Sequence, residues 1–103
     1  MARILVADDD DNVRAFVARA LALGGHEVVE AADGGLAAEL CADADGAFDL
    51  LLSDIKMPVM DGIALALSVA AAYPALTILL MTGFADQRER AHGLDALIYD
   101  VVP

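Results

Sequence analysis

The sequence predicts an α/β fold with a mostly parallel sheet covered on both faces, and two observations carry that expectation. Short apolar runs, such as Arg3-Ile4-Leu5-Val6-Ala7 and Leu50-Leu51-Leu52-Ser53, alternate with segments of helical period. Three of these runs end on residues suited to chemistry: Asp8-Asp9-Asp10 after the first, Asp54 after the third, and Thr82-Gly83 after the fourth. In a parallel sheet the carboxyl ends of neighbouring strands lie side by side, so these residues should converge on one pocket.

Each element has its own signal. After the first strand, Asp10 or Asp11 is expected to cap a helix whose inward face carries Val13, Phe16, Val17, Ala20 and Leu21, and Gly24-Gly25 stops it. Glu27-Val28-Val29-Glu30-Ala31 is short and more polar, as an edge strand would be. Gly34-Gly35 opens a second helix through Leu36, Leu40 and Cys41, which ends at the loop around Gly46. The third strand grows out of Phe48-Asp49-Leu50-Leu51-Leu52-Ser53. Asp61 should cap a third helix that packs Ile63, Leu67 and Ala70 and stops before Pro74. Thr77-Ile78-Leu79-Leu80-Met81 forms the fourth strand. Asp86-Gln87-Arg88-Glu89-Arg90-Ala91-His92 has few apolar anchors, so a helix there would be weakly tied to the core. Ala96-Leu97-Ile98-Tyr99 begins a fifth strand.

Composition narrows the class. At 103 residues the chain is one domain with a single core. A net charge of −11 argues against a nucleic-acid-binding surface. The lone Cys41 excludes an internal disulfide, fits a reducing cytosol, and reads as a small buried apolar residue. No stretch is long and apolar enough for a membrane span, and the amino terminus begins directly as a strand, so a cytoplasmic protein is expected. His26 and His92 lack partners at ligand spacing and are read as surface residues.

Acids gathered at strand ends repel one another by about several kcal/mol at low effective dielectric unless a cation sits among them. Asp8, Asp9 and Asp54 together therefore point to a ligand, and hard oxygen donors with room for water suit Mg²⁺. Asp10, Asp11 and Asp61 are better explained as helix caps or solvated acids.

The acid pair Asp8-Asp9, the segment Asp54-Ile55-Lys56-Met57-Pro58-Val59-Met60-Asp61-Gly62 and the pair Thr82-Gly83, in that order and spacing, resemble the receiver domain of two-component response regulators across the whole chain. The resemblance implies a doubly wound, flavodoxin-like, parallel five-stranded sheet of order 2-1-3-4-5, with the pocket at the switch between strands one and three. It implies that Asp54 takes a phosphoryl group from phosphohistidine on a histidine kinase or histidine phosphotransferase. It also implies that Asp9 and Asp54 ligate Mg²⁺ directly with the backbone carbonyl of Lys56, that Asp8 acts through water, and that Thr82 and Gly83 receive the phosphoryl oxygens. Such a module works by binding rather than turnover.

Two positions depart from the family. Receivers carry Lys-Pro at the end of strand five, whereas Pro103 here follows Val102, so either Val102 replaces the lysine or the lysine lies past Pro103. The expected aromatic switch position falls on Val101, with Tyr99 the nearest aromatic. A fifth helix is also implied and the sequence holds none. The expectation is a receiver domain over 1–103 truncated at its carboxyl end, or a homodimer that covers the open face.

The segment from Met81 to Val102 further resembles CpdR-type stand-alone receivers, which are implied to be adaptors that prime the ClpXP protease and are switched off by phosphorylation. Two alternatives stand beside this. Asp9-Asp10-Asp11-Asn12-Val13 reads Asp-x-Asp-x-Val, as in a haloacid-dehalogenase-type phosphohydrolase with Asp9 as nucleophile, although Asp54 and its loop would then be unexplained. The chain could instead be the receiver fragment of a transcription factor.

Overall fold

A computed structural model describes residues 1–57 and 59–81 of the chain. The expected polar helix at Asp86–His92, the fifth strand, and Thr82, Gly83, Tyr99, Val101, Val102 and Pro103 lie outside the described residues. Within them the order is β1 (Arg3–Ala7), α1 (Asp11–Leu23), β2 (Glu27–Ala31), α2 (Gly34–Asp43), β3 (Leu50–Asp54), α3 (Gly62–Ala72) and β4 (Thr77–Met81). The four described strands are all parallel in the order β2-β1-β3-β4. The polar strand β2 stands at an edge, as its sequence indicates, while β1 and β3 are central and the most buried.

Alternation along the strands divides the core into two layers. Leu5, Ala7, Leu51 and Ile78 face α2 and α3, where they meet Ala37, Cys41, Leu65, Ala66 and Val69. Ile4, Val6 and Leu52 face the other way and pack against Val17 and Leu21 of α1. Full burial of a side chain such as Leu5 or Leu51 contributes about 1.5–3 kcal/mol, so this central pair of strands anchors everything built on its ends. Asp49 sets the entry of β3 beside β1: its carboxylate accepts the Arg3 N–H at 2.7 Å, and its own N–H donates to the Arg3 carbonyl at 2.8 Å.

Three aspartates start the three described helices. Asp10 accepts the N–H groups of Asn12 and Val13, Asp33 that of Leu36, and Asp61 that of Ala64. The roles read for Asp10 and Asp61 hold, and Gly24-Gly25 ends α1 with Gly25 at φ 91°. The rotation of the helices differs from the expectation. In α1, Val13 and Phe16 point outward, Phe16 being 74% exposed, while Ala18 is buried and Val17 and Leu21 are half-buried. In α3 the buried residues are Leu65, Ala66 and Val69, and Leu67 is exposed. The sequence Gly-Ile-Ala-Leu-Ala-Leu-Ser-Val-Ala-Ala-Ala has no polar stripe to orient it, so the cap and the seat of Gly62 decide which side turns inward. Cys41 is buried as expected, and burial pushes its thiol pKa up. His26 is more than a surface residue, because its Nδ1 accepts the Ala2 N–H at 3.0 Å.

The segment after β3 is clamped at two points. Gly62 N–H donates to the Ile55 carbonyl at 2.6 Å, and a Cβ on Gly62 would overlap the carbonyl oxygen of Asp54. A Cβ on Gly34 would overlap the Met60 carbonyl, so α2 closes on the same loop from the other side. Between these contacts Val59 is held at φ 70°, a left-handed conformation that disfavours β-branched residues.

These features give opposite expectations for two substitutions. Gly62→Ala should destabilise the fold by about 1–3 kcal/mol, since the new methyl group must displace the Asp54 backbone. Val59→Gly should raise stability by about 1 kcal/mol through relief of the left-handed strain. Urea unfolding of both variants measures the two signs; a stable Gly62→Ala protein would show that the approach to Asp54 is not tight.

Candidate metal and phosphoacceptor site

The sheet register brings the acids together. Ala7 of β1 pairs with Ser53 of β3, so Asp8 and Asp54 each lie one step beyond a matched rung. Asp8 is 3% exposed, Asp54 is half-buried and Asp9 is exposed. Carboxylate oxygens of Asp8, Asp9 and Asp54 lie within 4.8 Å of one another. Asp54 also pairs with Met81 of β4, and Thr82 and Gly83, which follow Met81, lie outside the described residues.

Burial is the main cause that raises the pKa of both inner acids. For Asp8 the Asp10 N–H, donated at 2.9 Å, pulls the other way, the charges of Asp9 and Asp10 add to the rise, and Arg14 lowers it. For Asp54 the Asp8 charge adds to the desolvation, while the Ile55 N–H, donated at 2.8 Å, and the Lys56 N–H oppose it. The backbone thus offsets only part of the desolvation and repulsion. A cation among the three carboxylates would offset the remainder, and a set of hard oxygen donors at this spacing fits Mg²⁺.

The structure brings together Asp8, Asp9 and Asp54, and sets Lys56 on the exposed loop two residues past the phosphoacceptor candidate. It leaves Asp10 as a cap and Asp11 as an exposed acid paired with Arg14 at 2.7 Å. An Asp9 nucleophile of the dehalogenase type would leave Asp54 in this cluster without a role. Two residues at the site carry no clear signal in the sequence. Ser53 is fully buried and its hydroxyl donates to the Asp54 carbonyl at 2.9 Å. Arg14 binds the Asp8 carbonyl at 2.8 Å and Glu30 at 3.3 Å. Only the Asp11–Arg14 spacing of one helical turn could have flagged it; the Glu30 contact depends on β2 lying beside β1.

Comparison with known proteins places this geometry in a family. The response regulator receiver domain model matches residues 4–103. The receiver protein CpdR of Brucella abortus strain 2308 is 44% identical over 85 residues, covering 82% of this chain and 69% of CpdR. The chain spans only 21% and 22% of two longer regulatory proteins that it also matches. The response regulator TrrA of Thermotoga maritima, solved in complex with Mg²⁺–BeF, superposes with a TM-score of 0.76 at 32% identity, over 86% of this chain and 76% of TrrA. The receiver domain of the hybrid histidine kinase CckA superposes with a TM-score of 0.72 at 30% identity, over 93% of this chain and 98% of that domain. With a parallel sheet in the order β2-β1-β3-β4, an acid cluster at the β1 and β3 ends, and a family match over nearly the whole sequence, the chain belongs to the response regulator receiver domain family.

Proposed function

We propose that Asp54 is the phosphoacceptor of this receiver module and that Asp8, Asp9 and Asp54 form its Mg²⁺ site. The observation that carries the reading is the convergence of three carboxylates within 4.8 Å on adjacent parallel strand ends. An Asp54 carboxylate oxygen attacks the phosphorus of a phosphohistidine. The P–N bond breaks, its electron pair stays on the imidazole nitrogen, which takes a proton from solvent, and the product is an aspartyl phosphate. Mg²⁺, when bound, neutralises charge on the phosphoryl oxygens. Asp9, Asp54 and the Lys56 carbonyl would hold it, and Asp8 would act through water. Thr82 and Gly83 receive the phosphoryl oxygens. The Ile55 and Lys56 N–H groups orient Asp54, and the Gly62 seat keeps its backbone in place.

The donor is a histidine kinase or histidine phosphotransferase, a reading supported by the likeness to the CckA receiver. The module acts by switching a binding surface rather than by turnover. Its cellular setting is the cytoplasm, in keeping with the absence, among the described residues, of any helix long and apolar enough to cross a membrane. The similarity to CpdR supports a finer reading as an adaptor for ClpXP-dependent proteolysis. A reconstituted ClpXP degradation assay tests that reading: the unphosphorylated protein should accelerate substrate loss, and equal rates with and without it would remove the adaptor role.

Acetyl phosphate with Mg²⁺ should add one phosphoryl group, mapped by peptide mass spectrometry to Asp54 and lost in Asp54→Asn. A label on Asp8, Asp9 or Asp10 would reject the assignment. Thr82→Ala should still accept phosphate but respond less in conformation.

The raised carboxyl pKa values set a pH dependence. In the metal-free protein a group with a raised folded pKa stabilises most below its unfolded value, near 3.8, and that stability is lost as pH rises through the folded value. Asp54→Asn should therefore be more stable than the wild type at neutral pH without metal, and the gain should vanish as pH falls towards 3.8. Mg²⁺ at a hundredfold excess over its Kd should stabilise the wild type by about 2.7 kcal/mol and the variant far less. Thermal unfolding with EDTA and with Mg²⁺ at several pH values checks both signs.

A further inference from the structure

We propose that Arg14 is a positioning residue for the metal half of the site, holding the peptide that carries Asp9; this rests on the Mg²⁺ reading above. Arg14 sits in the first turns of α1, yet its side chain is only 16% exposed and its guanidinium reaches three elements. Nη1 donates to the Asp8 carbonyl at 2.8 Å, Nη2 to Asp11 Oδ1 at 2.7 Å, and Nε to Glu30 Oε1 at 3.3 Å. The planar fork thereby ties the end of β1 to α1 and to the edge strand β2.

The Asp8 carbonyl is the contact that matters for chemistry. It belongs to the planar peptide unit joining Asp8 to Asp9, so fixing its oxygen also fixes the Asp9 N and Cα. Asp8 is held independently: its N–H donates to the Ala31 carbonyl at 3.1 Å and its carboxylate accepts the Asp10 N–H. Asp9 differs. Its side chain is exposed, and among the described residues no hydrogen bond restrains it, so its direction depends on the peptide that Arg14 grips. The contact to exposed Asp11 alone would add little, because surface ion pairs are screened. Glu30 contributes by anchoring the Nε edge of the fork on β2, which keeps Nη1 aimed at the strand end.

The sign of one measurement separates positioning from mere proximity. A guanidinium beside a cation site repels Mg²⁺, so loss of a bystander Arg14 would tighten metal binding. Loss of a positioning Arg14 weakens it, by about tenfold on the scale seen when a partner of a metal ligand is removed. Calorimetric Mg²⁺ titration of the wild type, Arg14→Ala and Arg14→Lys reads this directly, with circular dichroism in EDTA confirming that each protein is folded. Arg14→Lys keeps the charge and loses the fork, so its loss of affinity, also about tenfold, reports geometry alone, including where Arg14→Ala fails to fold. Unchanged Mg²⁺ affinity in Arg14→Lys, or unchanged or tighter binding in Arg14→Ala, overturns the proposal. A wild type that binds no Mg²⁺ overturns the metal reading on which it stands.

Discussion

Burial of crowded carboxylates at the carboxyl ends of β1 and β3 is the constraint around which the rest of this receiver is arranged. Asp8 is almost fully buried and Asp54 half-buried; burial raises the energy of both charged forms, and the Asp8 charge adds to the rise at Asp54. Two such groups stay close only if the strands beneath them cannot separate. That stiffness comes from the buried ladder of β1 and β3, where Ile4, Leu5, Val6 and Ala7 pair with Leu50, Leu51, Leu52 and Ser53. The core therefore holds an unfavourable charge arrangement in place, and a cation can turn that arrangement into binding energy.

Backbone groups do much of the remaining work. The Ile55 and Lys56 N–H groups stabilise the Asp54 carboxylate, and the Asp10 N–H does the same for Asp8. Peptide dipoles of this kind are fixed by the fold and need no side-chain ordering. The two glycine contacts, Gly62 on Asp54 and Gly34 on Met60, hold the loop after β3 from both sides, and Val59 absorbs the resulting strain. The loop that follows Asp54 is thus bound to two helices as well as to the sheet.

The acidic character of the chain gives its few cations disproportionate influence. Against 17 acidic residues there are six lysines and arginines. Arg14 is placed where its charge lowers the pKa of Asp8 and its hydrogen bonds grip the strand end. Arg3 lies at the opposite end of β1, stacked 4.8 Å from the Phe48 ring centroid. The two ends of the central strand are thereby tied down by different arginines, one beside the acid cluster and one at the floor of the sheet.

Much of this protein is legible in its amino-acid order alone. Strand alternation, the capping aspartates Asp10 and Asp61, the polar edge strand and the convergence of Asp8, Asp9 and Asp54 all follow from local chemistry: a period, a short acceptor side chain, a row of acids at strand ends. The rotation of α1 and α3 does not follow, because Val13 and Phe16 are as apolar as the residues that turn inward and α3 carries no polar stripe. Caps, the Gly62 seat and the Arg14 fork choose the faces, and the last two depend on contacts between elements. Ser53 and Arg14 give little signal, because the burial of a hydroxyl, and a guanidinium joining residues 16 apart in sequence, acquire meaning only when the strands lie side by side. The sequence by itself determined which acids stand at the strand ends, since their types and spacing are local facts. Only the tertiary structure decided how closely the acids approach and what holds them, because distance and burial are properties of packing.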